Sequence, residues 1–508
     1  MSLDRVRRLA LACCLTGSLP ALLALSVTLP TDAQAQSVRR DAAVLGMVLE
    51  PTTLDPTTAP AAAIGEIVHY NVLEGLTRIN LDGKITPLLA ESWTTDPDGR
   101  VYTFKLRRGV RFHDGEAFTA ADVKFSFDRA RAEGSTNKAK KAVFDNIARI
   151  DTPDEFTVIV LLNKPDGNFL WRMGENTAVI LDPKSAATTA TRPIGTGPYR
   201  LDEWRKGSSL SLVKWDGFRQ PNPAMLGRVT FRFINDPAAQ VAALLAGDID
   251  GMPRFGAPQS LKQFQADRRF NVQVGSTTGE TIVAINHRKK PFDDPRVRRA
   301  IQAAIDRKAV IDGAQEGYGT PIGSHMAPSE DGYIDLTGQN PYNPDRARAL
   351  LREAGVSLPL SVTLTLPPPQ YARKGGEIIA AQLAAVGINA KIENVEWAQW
   401  LAGPFKGNFD LTIISHVEPL DIDRYADPTY YWGYDSKPFQ ALFARYNGST
   451  NLAERRRLLG EMQRLIAADQ VNAFLFILPQ FMVSNRRLTG LWSSSPIPAN
   501  DLAALRWQ

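Results

Sequence analysis

Helices with marked beginnings and ends are the feature that most constrains the fold of this sequence. A side-chain oxygen caps the first free N–H groups of each helix, a proline fits the first turn, and a glycine supplies the left-handed exit. Three such segments run from Asp236-Pro237 to Gly247, from Asp294-Pro295 to Gly313 and from Asn343-Pro344 to Gly355. Segments with strand patterns alternate with the helices, for example Val44 to Leu49 and Phe409 to Ser415. The alternation predicts an α/β protein.

The composition indicates a globular protein with large buried cores. The chain has 508 residues, which suggests about three domains. Hydrophobic residues make up 44% and charged residues 22%, as in ordinary folded chains. The net charge is +5, but the 59 basic and 54 acidic residues are interleaved and form no Lys/Arg tract. We therefore predict that nucleic acid is not a partner.

The first residues have the pattern of an export signal. Arg5, Arg7 and Arg8 precede an apolar stretch that continues to about Leu29, and the small-x-small site Ala33-Gln34-Ala35 follows. This pattern predicts a signal peptide over residues 1–35, cleavage after Ala35 and a periplasmic protein. It leaves open whether the Sec or the Tat pathway exports the chain. A membrane anchor is the alternative, but Pro20 interrupts the stretch.

The cysteines and histidines do not form a recognisable catalytic or metal-binding pattern. Both cysteines, Cys13 and Cys14, lie inside the predicted signal peptide, so the mature chain has no thiol. The five histidines show no ligand spacing, and we find no motif of a hydrolase, a P-loop or a dinucleotide-binding fold. We therefore predict a binding protein without a cofactor. A secreted hydrolase is the alternative from a different class, since catalytic groups can converge in space alone.

Residues 89 to 130 carry a much more specific signal. They read LAESWTTDPDGRVYTFKLRRGVRFHDGEAFTAADVKFSFDRA, which closely resembles the signature of the family 5 extracellular solute-binding proteins. Further blocks resemble the family in the same order along the chain. These are Leu54-Asp55-Pro56, Leu73-Glu74-Gly75-Leu76, Gly195-Thr196-Gly197-Pro198-Tyr199, Ala246-Gly247-Asp248-Ile249-Asp250 and the segment from Pro291 to Arg307. The family serves peptide, nickel and opine ABC importers.

The resemblance implies a two-lobed periplasmic-binding-protein fold of type II, with a hinge between the lobes and an extra inserted domain. We expect the first lobe at 36–80, 192–278 and 478–508, the inserted domain at 81–191 and the second lobe at 279–477. A monomer would capture a peptide or peptide-like solute in the interlobe cleft and deliver it to the permease subunits in the membrane. A nickel–metallophore complex, an opine or an oligosaccharide is the alternative ligand within the family.

The resemblance also suggests where a ligand binds. In peptide-binding relatives an acidic residue of the second lobe holds the ligand amine, and the corresponding segment here contains Asp421, Asp423 and Glu418, with Asp421 our first choice. His416 would be the single protein ligand of a metal complex. The further candidates are Thr277 and Thr278 at a crossing between lobes, Trp397 and Trp400 as aromatic walls, and Arg373 for a ligand carboxylate. The helical spacing of the two tryptophans fits a core position equally well.

Overall fold

The computed structural model describes residues 41–59 and 61–508. The predicted signal peptide and its cleavage site after Ala35 lie outside the described residues. The strands of the described part are β1 (Ala42–Met47), β2 (Thr77–Ile79), β3 (Ile85–Pro87), β4 (Ala90–Thr95), β5 (Val101–Leu106), β6 (Ile147–Asp154), β7 (Thr157–Leu162), β8 (Tyr199–Arg205), β9 (Ser209–Lys214), β10 (Arg228–Phe233), β11 (Gly251–Met252), β12 (Phe270–Ile285), β13 (Thr320–Pro321), β14 (Leu360–Leu366), β15 (Ile388–Asn394), β16 (Leu411–His416), β17 (Ala473–Asn485), β18 (Leu488–Thr489) and β19 (Arg506–Trp507).

Helices alternate with these strands through most of the chain. They are α1 (Ala62–Val68), α2 (Ala120–Arg131), α3 (Phe169–Arg172), α4 (Pro237–Ala246), α5 (Leu261–Ala266), α6 (Pro295–Ala304), α7 (Arg307–Gln315), α8 (Pro344–Glu353), α9 (Gln370–Ala384), α10 (Trp397–Ala402), α11 (Lys437–Gly448) and α12 (Leu452–Asp469). Short 3-10 turns are Phe144–Asn146, Asn176–Ala178, Ala186–Thr188, Pro258–Ser260, Pro404–Lys406, Asp421–Ala426 and Leu502–Ala504. Among the described residues, none of the helices combines the length and the apolar character that crossing a membrane requires.

Two long strands connect the two halves of an eleven-stranded sheet. The strand order is β15-β14-β16-β12-β17-β11-β1-β10-β9-β8, and β13 pairs with β17 outside this path. Strands β12 and β17 run antiparallel, from the pair Phe270–Asn485 to the pair Val283–Ala473. The expected lobe boundaries at 278/279 and 477/478 fall inside these two strands. The strands on one side come from residues 360–416 and those on the other from residues 42–47 and 199–252, and the partition into lobes and inserted domain stays a prediction.

The sheet is covered on both faces in the second lobe. Alternate residues of β16 point to opposite sides, so Leu411 and Ile413 join an aliphatic core with α6, α7 and α9. Ile414 joins an aromatic core on the other face, which includes Trp432 and Tyr425. A strand buried on both faces reads as a continuous apolar run, which explains the pattern from Phe409 to Ser415.

The predicted inserted domain contains its own sheet, of order β4-β5-β7-β6. Tyr102, Phe104 and Leu106 of β5 are buried and alternate with more exposed residues. Helix α2 packs on this sheet and begins with a capping box between Thr119 and Asp122. The apolar residues of the sheet and of α2 therefore form a separate core.

The predicted helix ends are confirmed at two of the three marked helices. The Asp236 and Asn343 side chains accept hydrogen bonds from the first turns of α4 and α8, and Gly247 and Gly355 are left-handed. The prediction of one helix from Asp294 to Gly313 is wrong. That segment forms α6 and α7, because the Asp306 side chain accepts from the N–H groups of Lys308 and Ala309 and caps a second helix.

Candidate ligand-binding site

The acidic segment follows the buried strand β16 in the second lobe. All six residues of β16 are buried, and His416 is the last of them. Leu420 takes a left-handed conformation, with φ of 64°, and turns the chain into the short 3-10 helix Asp421–Ala426. This turn places Asp421 inside the lobe and Asp423 at its surface towards the inserted domain, since only the latter approaches Arg172.

Both carboxylate oxygens of Asp421 already have partners inside the second lobe. Oδ2 is 2.5 Å from His416 Nδ1, and Oδ1 accepts a hydrogen bond of 3.0 Å from Arg424 Nε. Burial on its own favours the neutral acid, but the electrostatic attraction of His416 and His325 and the hydrogen bond from His416 outweigh it. The pKa of Asp421 therefore lies well below its usual range. The network fixes Asp421 as an internal anion of the lobe.

A second histidine completes this buried group. His325 Nε2 lies 3.7 Å from Asp421 Oδ2, and its other nitrogen, Nδ1, lies 3.0 Å from the Tyr425 hydroxyl. One ligand atom from each of His325, His416 and Asp421 lies within 4.8 Å of the others, a spacing at which a metal ion can be held. Because the two histidines are far apart in the sequence, their spacing gives no sign that they meet at this carboxylate.

Asp423 faces a cation of the inserted domain. Its Oδ2 lies 3.6 Å from Nη2 of Arg172, the last residue of α3. Its Oδ1 lies 3.4 Å from Arg424 Nε but accepts no hydrogen bond from any described residue. Burial raises the pKa of Asp423, Asp421 adds to this effect, and the two arginines oppose it. We call Arg172 and Asp423 the interlobe pair.

Glu175 lies near both charges of the interlobe pair, and His69 is a second buried polar group, in the first lobe. Glu175 follows α3 in the turn that continues from Arg172, and burial raises its pKa. His69 is buried, neither of its ring nitrogens has a hydrogen-bond partner among the described residues, and burial with the charges of Arg78 and Lys138 lowers its pKa to about 3. The amino-acid sequence does not point to Arg172 or Glu175, because their residue types carry no signal outside this three-dimensional arrangement.

The other predicted site residues lie at two places. Glu418 is exposed and its carboxylate accepts a hydrogen bond from the N–H of Val417. Thr277 and Thr278 lie on the hinge strand β12, where their hydroxyls donate to the carbonyls of Leu478 (2.8 Å) and Val417 (3.3 Å). Glu418 and the two threonines therefore lie on or beside β12 and β17, the strands that connect the lobes.

The tryptophans and Arg373 belong to the second lobe. Trp400 is buried and donates to the Thr412 hydroxyl over 3.0 Å, so it occupies a core position. Trp397 is 43% exposed and meets Trp400 edge-on. Arg373 pairs with Glu396 over 3.3 Å on the surface of α9. Roles for these three residues in ligand binding stay predictions.

The chain matches the family model described as bacterial extracellular solute-binding proteins, family 5 middle, over residues 84–437. It is 28% identical over 472 residues to the glutathione-binding protein GsiB of Escherichia coli (strain K12), covering 87% of this chain and 90% of the relative. The periplasmic binding protein DppA of Helicobacter pylori, in complex with the peptide STSA, is similar with a TM-score of 0.79 and 24% identity over 93% of this chain and 99% of that one. The binding protein AgaA from A. tumefaciens R10, in complex with agropinic acid, gives 0.78 and 24% over 92% and 99%.

These similarities define a type II periplasmic-binding-protein fold, as the sequence predicts. The chain belongs to family 5 of the bacterial extracellular solute-binding proteins. It is the substrate-binding component of an ABC importer, and the prediction of a binding protein rather than an enzyme is confirmed.

Proposed function

We propose that this protein captures a small peptide or peptide-like solute between its lobes and delivers it to the permease subunits in the membrane. The observation that carries the proposal is the interlobe pair, two largely buried charges that face each other from the inserted domain and the second lobe. Each has a polar atom without a hydrogen-bond partner among the described residues, namely Arg172 Nε and Asp423 Oδ1. Buried polar atoms rarely stay unpaired, so a polar ligand supplies the missing partners.

Within the acidic segment, Asp423 is the residue we propose for the ligand amine. Asp421 is the first choice from the sequence, but its two oxygens are used by His416 and Arg424. Burying a ligand ammonium without a carboxylate partner would cost several kcal/mol, on the order expected for an unpaired ion. Replacing Asp423 by Asn should therefore weaken binding by roughly 2–5 kcal/mol, measured by calorimetry.

A charged, peptide-like ligand is favoured over an oligosaccharide by the charges at this site. The GsiB relative is named for glutathione, a tripeptide with an amine and carboxylates. An oligosaccharide is neutral and would leave the interlobe pair without charged partners. The group of His325, His416 and Asp421 supports a metal complex as the second candidate, with His416 as the expected ligand.

Mass spectrometry and metal analysis of protein purified natively, without a histidine tag, test these candidates together. We expect an unaltered solute that carries an amine, and no stoichiometric transition metal. Small-angle scattering should show compaction when that solute is added back, because a ligand shifts the lobes only if it prefers the closed state. A tightly bound metal would favour the second candidate, and tight binding without compaction would contradict the capture mechanism.

We propose further that the chain is exported as a monomer and cleaved after Ala35. The intact mass of the periplasmic protein should then begin at Gln36, and light scattering should give the mass of one chain. A mature protein that retains Cys13 would contradict the cleavage site.

A further inference from the structure

The interlobe pair is a long contact between two incompletely bonded charges. The 3.6 Å between Arg172 Nη2 and Asp423 Oδ2 is longer than a normal hydrogen bond, and the side chains are 15% and 20% exposed. Arg172 also lies 3.9 Å from Asp166 Oδ2, again too far for a hydrogen bond. The pair therefore brings opposite charges together without satisfying either of them.

The unused atoms of the pair are of opposite kinds. Arg172 Nε is a buried donor and Asp423 Oδ1 is a buried acceptor, and neither has a hydrogen-bond partner among the described residues. Asp421, only two residues away, differs because His416 and Arg424 lie within hydrogen-bond distance of its oxygens, whereas Arg424 Nε stays 3.4 Å from Asp423 Oδ1. The open donor and acceptor thus lie where the inserted domain and the second lobe face each other.

We propose that the interlobe pair recognises an α-amino-acid head group, in which a free ammonium and a free carboxylate are attached to the same carbon. The ammonium binds Asp423 and the carboxylate binds Arg172. Insertion of the head group separates the pair, which requires a small opening at the hinge, and replaces one long ion pair with two short charge-assisted hydrogen-bonded contacts. This inference rests on the proposed function and names the ligand class of that site.

The second charge distinguishes this head group from an ordinary peptide N-terminus. The amine of an α-linked peptide is followed by a neutral carbonyl, so it satisfies Asp423 but gives the Arg172 guanidinium no anion. A γ-glutamyl peptide or another side-chain-linked amino acid retains both charges on one carbon. The site should therefore select compounds in which the ammonium and the carboxylate of the amino-acid head group are both free.

Two isomeric tripeptides test this selection. Glutathione contains γ-linked glutamate, and its α-linked isomer Glu-Cys-Gly has the same atoms with the carboxylate beside the amine used in the peptide bond. In calorimetry with the mature protein in reducing buffer, we expect glutathione to bind at least tenfold more tightly. N-acetylglutathione, which lacks the ammonium, should also bind at least tenfold more weakly than glutathione.

Matched variants assign each charge to its partner. Arg172→Gln should reduce the preference for glutathione over the α-linked isomer to less than threefold, and Asp423→Asn should do the same for the preference over N-acetylglutathione. Arg457→Gln, on the exposed face of α12, is the control and should keep both preferences. Thermal melting of each variant without ligand shows whether it is folded.

Three outcomes would overturn the inference. The α-linked isomer could bind as tightly as glutathione, or a folded Arg172→Gln variant could keep the full preference. The third is that glutathione, γ-glutamylalanine and free glutamate all fail to bind. In any of these cases the proposed function is judged separately, since a co-purified peptide without this head group would leave it intact.

Discussion

The predicted inserted domain contacts the first lobe and the second lobe in different ways. Towards the first lobe, the ring of His113 lies between two backbone groups, with Nε2 3.0 Å from Gly197 O and Nδ1 accepting from the N–H of Gly195 over 3.3 Å. Towards the second lobe, the Asn168 Oδ1 accepts from the Tyr446 hydroxyl over 3.2 Å and from Arg455 Nη2. The first contact includes a shared apolar core, in which Val179 and Leu181 belong to the same buried cluster as Leu73, whereas the second rests on polar contacts that include a hydrogen bond from the N–H of Gly167 to Asn447 O over 2.9 Å.

The difference indicates which contact opens when the lobes separate. Gly75 of the first lobe packs so closely on the inserted domain that an added Cβ would lie 2.6 Å from Met173 O, so the first contact cannot slide. The second contact can exchange its side-chain hydrogen bonds for water at a net cost of about 1 kcal/mol each. We therefore expect the inserted domain to move with the first lobe.

The largest expected effect comes from breaking the fixed contact. Gly75→Ala places a methyl group against the carbonyl of Met173 in the inserted domain, and over-packing of this kind should lower the free energy of unfolding by about 3 kcal/mol. Urea denaturation measures the change. Gly134→Ala is the control, because an added Cβ there has no described atom within 4 Å. Equal stability of the two variants would contradict a tightly packed contact.

Lowering the pH should weaken the contact between the inserted domain and the first lobe, to a smaller extent, through protonation of His113. Burial lowers the pKa of His113 to about 4, and its two bonds fit the neutral ring, because a proton on Nδ1 would face the N–H of Gly195. The unfolded chain therefore takes up this proton first, at a pKa of about 6.5. Stability is complete above pH 6.5 and is lost as the pH falls towards 4, by at most about 1.4 kcal/mol per pH unit for this residue.

Comparison with His113→Gln isolates this contribution from those of the other histidines. The variant should be less stable than wild type at pH 7, and its free energy of unfolding should decline less steeply between pH 6.5 and 4.5. Urea denaturation at several pH values measures both slopes. Parallel declines for the two proteins would show that His113 protonates without affecting the fold.

Local signals explain why much of this fold could be predicted from the sequence. The caps at Asp236 and Asn343 and the alternation in β5 act within a few residues, so the sequence displays them directly. The break between α6 and α7 could not be seen as easily, because Asp306 becomes a cap only where the chain leaves α6 in an extended conformation at Ile305. The family resemblance predicted the lobes and the insertion that short-range patterns do not encode.

The candidate site was less predictable because burial and distant partners determine its chemistry. The sequence identified the acidic segment but ranked Asp421 before Asp423. Our proposal reverses this order, because His416 and Arg424 use the oxygens of Asp421 and the partner of Asp423, Arg172, comes from a different domain. No pattern within either segment indicates that Arg172 and Asp423 meet.

The smallest expected effect on stability, and the sharpest test of the comparison, comes from the contact that opens. Asn168→Ala removes the acceptor of the Tyr446 hydroxyl and of Arg455 Nη2, while Arg455 Nη1 still donates to Tyr446 O over 2.7 Å. The free energy of unfolding should fall by only about 1 kcal/mol.

The closed state loses this energy selectively, so apparent ligand affinity should fall by roughly three- to tenfold as the closed population declines. Small-angle scattering of the ligand-free protein should show a larger radius of gyration than wild type, whereas Asn163→Ala, at an exposed position of the same domain, should leave both quantities unchanged. If Asn168→Ala has the radius and affinity of wild type, the contact with the second lobe does not control closure, and the inserted domain need not move with the first lobe.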